Sequence, residues 1–275
     1  MKSISKYIQE KLIIKKSKYK YFPETKEELK DIIKKRIEQE GNKIDLNDID
    51  VSNITDMSYL FSDMEKFNGN ISKWDVSNVT NMYGMFEGCE QFNQDISNWD
   101  VSNVTNMVKM FNSCYKFNKD ISKWNVSNVT NMAYMFYRCK SFNQNISGWD
   151  VLNVRNMSYM FFRCINFNQN ISGLDVSNVK DMMEMFCGCK SFNIDISSWN
   201  VSNVTNMYCM FYDADKFNKD ISGWDVSNVT DMRYMFFGCK SFNQNISNWH
   251  VSNVKHSKDI FYNCPIEEKY KPKFK

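Results

Sequence analysis

The chain has 275 residues, a formal net charge of +3 and an aromatic content of 15%. That much apolar material can build a core, which excludes a disordered chain, and so small a net charge excludes the broad basic surface of a nucleic-acid binder. Charge is unevenly spread: residues 1–45 hold 13 Lys and Arg against 8 Asp and Glu, a net of +5, and the rest holds 22 against 24, a net of −2.

Residues 1–45 read as a helical N-terminal extension and cap. The opening MKSISKYIQEKLIIKK has only the short apolar run Leu12 to Ile14 between lysines, unlike a secretory signal. No run is apolar for long enough to cross a membrane. These two features predict a cytoplasmic protein. Residues 1–20 read as a short helix with Ile4, Tyr7, Ile8 and Leu12 inward. Thr25-Lys-Glu-Glu28 has the form of a capping box. It predicts a helix over about 26–40 with Leu29, Ile32, Ile33 and Ile37 on one face and Gly41 as its stop.

Residues 46–264 form an array of nine coils. Trp74, Trp99, Trp124, Trp149, Trp199, Trp224 and Trp249 are spaced by 25 residues or a multiple of it, with Leu174 in the one gap. Such a period marks one unit stacked many times, a solenoid, and a solenoid offers a long binding surface more readily than a catalytic cleft. In the coil FNQDISNWDVSNVTNMVKMFNSCYK (92–116), the stretch around Ile96 and Trp99 alternates and predicts a short strand. Met107, Met110, Phe111 and Cys114 fall at i, i+3, i+4 and i+7 and predict a short helix of about two turns. The predicted class is therefore an α/β repeat solenoid, one short strand and one short helix per coil.

Cys89, Cys114, Cys139, Cys164, Cys189, Cys239 and Cys264 share one register with Met64 and Ala214, which predicts a buried thiol ladder. Disulfides between stacked coils are the alternative. Cys187 and Cys209 lie off the register and are expected nearer the surface. Two asparagine rows, one from Asn53 to Asn253 and one from Asn68 to Asn243, predict buried amides that bond neighbouring coils. Asp75, Asp100, Asp150, Asp175 and Asp225 share a register with Asn125, Asn200 and His250, which favours hydrogen-bond acceptors at corners over calcium ligands. Beyond Cys264 the motif stops at Pro265, and residues 265–275 read as a polar, frayed tail.

The unit FNxDISxWDVSNVTNMxxMFxxCxx resembles the 25-residue repeat of the BspA-like leucine-rich-repeat surface proteins, in the variant first noted in mycoplasma lipoproteins of a domain of unknown function. The resemblance implies right-handed leucine-rich-repeat-like coils with a parallel sheet along one face. It also implies adhesion or host-protein binding at a cell surface, an alternative to the cytoplasmic location.

Function is expected where coils differ at exposed positions. Tyr134, Tyr137, Arg138, Tyr159, Phe162, Arg163 and Tyr234 fall in three adjacent registers near the predicted helix edge. Tyr, Phe and Arg are residue types that dominate binding hot spots, so these seven are the candidate protein-binding residues. An intracellular scaffold is the other reading of the same surface. No catalytic, cofactor or metal-ligating set stands out, and a protein is the expected partner.

Overall fold

The computed structural model describes residues 18–274. The predicted helix within residues 1–20 lies largely outside that range. A helix, α1 (Lys26–Glu40), precedes the array, and a single 3₁₀ turn (Glu268–Tyr270) follows it. Among the described residues there is no strand, and the coils contain no helix. The α/β class, the parallel sheet along one face and the leucine-rich-repeat type are therefore corrected. Each coil is instead a succession of four-residue turns.

The backbone hydrogen bonds explain the absence of helix. In the stretch predicted to be helical, Met110 N–H bonds Met107 O and Cys114 N–H bonds Phe111 O, closing two consecutive turns. Between them, Lys109, Phe111 and Ser113 donate to Ala133, Met135 and Tyr137 of the next coil. A helix would send those N–H groups to the carbonyl four residues back. Lys109 (φ 59°) and Ser113 (φ 61°) lie in the left-handed region, and equivalent residues do so along the array. That conformation costs on the order of 1 kcal/mol per non-glycine residue and ends any helix. It also turns alternate peptides toward the neighbouring coil, where their bonds offset the cost. Two four-residue turns bury i, i+3, i+4 and i+7, the same positions as a helix, so Met107, Met110, Phe111 and Cys114 are all fully buried.

The predicted strand is likewise two turns, Trp99 N–H to Ile96 O and Val104 N–H to Val101 O. Parallel pairing survives only as single-residue bridges, from Asp56↔Asn81 through to Asp231↔His256, each spanning 25 residues.

Stacking also runs through the core. Phe136 lies parallel to Phe111 and Phe161 at 5.8 and 5.7 Å and against Phe142 at 4.0 Å. The tryptophan indoles donate to a carbonyl 28 residues back at 2.9–3.2 Å. Leu174 keeps the burial but has no such donor. The in-register thiols Cys89 to Cys239 donate to phenylalanine carbonyls at 2.8–3.0 Å. Every cysteine is a free thiol, and burial pushes up the pKa of each. Cys187 and Cys209, expected nearer the surface, are buried at 8% and 6% exposure.

The asparagine rows do join coils, but at the surface. Asn103 Nδ2 donates to Ser77 O at 2.7 Å, and Asn93 N–H donates to Asn68 Oδ1 at 2.9 Å. The first row is mainly exposed and the second half-buried or exposed.

Corner aspartates accept the N–H two residues on, as Asp100 does from Ser102 at 3.0 Å. Hydrogen bonds from the Ser102, Ser177 and Ser227 side chains, and then from their N–H groups, hold Asp100, Asp175 and Asp225 below the usual carboxylate range. Such turns contribute stability that is present above the unfolded carboxyl pKa of about 4 and is lost as pH falls through the lower folded value. Asn125 and Asn200 make the same bond to Ser127 and Ser202 without a charge. The melting temperature, followed by tryptophan fluorescence, is therefore expected to fall below about pH 4. The triple variant Asp100→Asn, Asp175→Asn, Asp225→Asn is expected to show a smaller fall. An identical acid profile for the two proteins would refute this source of acid lability.

Both ends are closed. On α1, Thr25 Oγ1 accepts Glu28 N–H and Gly41 N–H reaches Ile37 O, while Leu29 and Ile33 are fully buried. At the other end the tail is packed rather than frayed. Ile266 is 5% exposed, Phe274 packs on the core, and Ile246 N–H bonds Tyr270 O at 3.0 Å.

Candidate functional site

Three rows of side chains stand on the face made by the paired turns. Two of them are the left-handed positions. One runs Lys109, Tyr134, Tyr159, Glu184, Cys209, Tyr234, and the other Ser113, Arg138, Arg163, Gly188, Asp213, Gly238. The third, between them, carries Tyr137, Phe162, Cys187, Tyr212 and Phe237.

Six of the seven candidate residues meet. Tyr134 stacks on Tyr159 at 4.4 Å, and Tyr137 on Phe162 at 4.5 Å with the rings nearly parallel. The two stacks touch through Tyr137 and Tyr159 at 6.2 Å. The Arg138 guanidinium lies 5.2 Å from the Tyr137 ring centre, and that of Arg163 lies 5.4 Å from Phe162. Tyr134, Tyr137, Arg138, Tyr159 and Phe162 are half-buried and Arg163 is exposed. The rings thus pack on one another and still present edges to solvent.

Tyr234 belongs to a second group. It meets Phe237 and Tyr208 edge-on, each at 6.0 Å, while Phe237 stacks between Tyr212 and Tyr262. Glu184, Cys187, Gly188 and Cys209 separate the two groups along the rows.

Burial, and after it the Glu184 charge, raises the Tyr159 phenol well above its ordinary range, and burial also raises Tyr134 and Glu184. The phenols therefore remain protonated, as hydrogen-bond donors, at neutral pH. Among the described residues no group of three or more His, Cys, Asp and Glu is arranged to hold a metal ion. The arrangement is suited to contact: rigid aromatic surface edged by two guanidinium groups.

Sequence reasoning missed a fourth row beside the arginines, which includes Tyr115, Lys140, Ile165 and Lys190. Its signal was available, since these positions also vary between coils at 25-residue spacing.

The structure defines the class: a stack of turn-built 25-residue coils with a helical cap. The family described as "Mycoplasma protein of unknown function, DUF285" matches residues 28–147, 96–187, 118–208 and 167–271, overlapping segments that together run through the array. The chain belongs to that family. The match does not extend to the BspA-like leucine-rich-repeat assignment. No curated protein matches the chain. Among the described residues no helix is long and apolar enough to cross a membrane.

Proposed function

We propose that the array is a non-catalytic protein-binding module whose contact surface is centred on Tyr134, Tyr137, Tyr159 and Phe162 with Arg138 and Arg163. One observation carries this reading: four rings from two adjacent coils are stacked into a single platform, with one guanidinium against Tyr137 and another against Phe162. Rings already held by their neighbours lose little freedom when a partner covers them, and Tyr and Arg are the residues that most often dominate such contacts.

The test compares the wild-type protein with the variant Tyr134→Ala, Tyr159→Ala, Arg163→Ala as immobilised bait against extracts of the source cell and its surroundings. At least one protein retained by the wild type is expected to be depleted about tenfold or more on the variant, which should still melt cooperatively. A retained set unchanged by the triple substitution refutes the reading.

A further inference from the structure

The row of left-handed residues has a gap at its centre. It reads Arg138, Arg163, Gly188, Asp213. Gly188 has φ 69°, and a Cβ built on it would stand 2.9 Å from Arg163 Cγ. The Arg163 stem therefore lies over Gly188, and beside it opens a concavity of about 400 Å³ lined by Arg138, Arg163, Lys140, Lys190 and Asp213.

The charges around this notch are unequal in number and in pairing. Lys190 is matched, its Nζ lying 3.8 Å from Asp213 and 3.3 Å from Asp215. Among the described residues, Arg138, Arg163 and Lys140 have no carboxylate within ion-pair distance. Arg138 Nε is buried with no hydrogen-bond partner, a cost that no neighbouring acceptor offsets. Each of the three cations rests instead on a ring: Arg138 on Tyr137, Arg163 on Phe162, and Lys140 Nζ 4.2 Å from the Tyr115 ring centre. The rings hold the cations in place without neutralising them. Three unmatched positive charges are thus concentrated within an array whose net charge is negative.

We infer that this notch is a subsite for carboxylate side chains, and that the partner of the aromatic platform presents an acidic segment to it. The inference rests on the protein-binding reading of that platform. Arg138 and Arg163 stand in successive coils about 5 Å apart, so neighbouring carboxylates of an extended acidic peptide can face both. The guanidinium fork suits carboxylate oxygens, and the concavity between the cations gives a side chain room to enter.

The experiment measures binding of a fluorescein-labelled oligoglutamate peptide to the full chain, against the matching oligoglutamine peptide. The wild type is expected to bind oligoglutamate and not oligoglutamine, with affinity falling as salt is raised. The variant Arg163→Gln, Lys140→Gln changes two exposed side chains. It is expected to lose about tenfold or more of that affinity. The control Lys73→Gln, Lys216→Gln removes the same charge from exposed lysines elsewhere on the array and should bind as the wild type does. Gly188→Asn, whose Cβ would push the Arg163 stem aside, should weaken binding as well.

No oligoglutamate binding, equal binding of oligoglutamine, or equal loss in the control variant overturns the inference. So does displacement of oligoglutamate by inorganic polyphosphate at an equal or lower concentration of charge, which would make the notch a phosphate site. The two readings fail separately. Loss of a captured protein on Tyr134→Ala, Tyr159→Ala with no effect of Arg163→Gln, Lys140→Gln would keep the platform and remove the carboxylate subsite. Charge-dependent peptide binding with no platform-dependent partner would do the reverse.

Discussion

Phe136→Ala is expected to destabilise the protein by about 3–5 kcal/mol, the range for removing a fully enclosed aromatic side chain. Phe136 is fully buried in a central coil. It contacts Phe142 at 4.0 Å, Phe111 and Phe161 on either side, and Trp149 at 6.3 Å. The cavity would therefore open in three coils at once. Coils linked by nearest-neighbour contacts unfold as a unit only while every interface holds, so a central defect should also broaden the transition. Phe261 occupies the same register at the C-terminal end, half-buried, with Phe236 at 5.8 Å. Its replacement by Ala should cost about 1–2 kcal/mol. Urea unfolding followed by tryptophan fluorescence measures both. Equal losses at the two positions would mean that the coils do not share their stability as the stacked core implies.

The stacking that makes Phe136 so costly to remove was legible in the sequence. The 25-residue period placed every core register, because apolar side chains that recur at a fixed interval must meet their own kind in the next coil. The backbone conformation was harder to read. The spacing i, i+3, i+4, i+7 is satisfied both by a helix and by two four-residue turns, and burial alone does not separate them. The discriminating signal was Gly84 and Gly88, four residues apart within a stretch read as helix, the second at a register that carries Asp63, Ser113 and Asp213 in other coils. Glycine, aspartate and serine at one register mark a turn rather than a helix interior.

The alternation around Ile96 and Trp99 misled in the same way. It arises from side chains accepting local N–H groups, as Asp95 does from Ser97 at 3.0 Å, and not from a pleated strand. The aromatic platform was legible because its residues interrupt conserved spacing with large side chains. The notch was not, because it depends on how the Arg163 stem lies over Gly188 and on Lys140 and Lys190 in a row beside it.

The charge that most tightly fastens the cap was also hidden, because Arg36 reads as one more polar residue of an amphipathic helix. It is 8% exposed. Its Nη1 donates to both oxygens of Asp48 at 3.0 and 3.3 Å and its Nη2 to Asp45 O at 3.3 Å, while Nε bonds Glu40. The guanidinium also lies 5.1 Å from the Tyr21 ring centre. One side chain thus ties α1 to the segment before it and to the first turns of the array. Removing one partner of a buried ion pair costs about 3–5 kcal/mol. Asp48 remains 20% exposed with Lys20 at 3.4 Å, so part of its charge stays solvated and paired. Arg36→Ala is accordingly expected to cost about 2–3 kcal/mol. Arg36→Met, which restores the aliphatic contact but not the bonds, should recover only part of that. Lys35→Ala, next to it and exposed, should change stability by less than about 0.5 kcal/mol. Because Leu29 and Ile33 cover the first coil, loosening α1 should expose Ile44, Leu46 and Ile49 in particular. Amide exchange in residues 44–61 is expected to rise in Arg36→Ala before exchange rises in the central coils. Uniform exchange along the array, or full recovery with Met, would show that Arg36 acts by filling space and not by joining the cap to the coils.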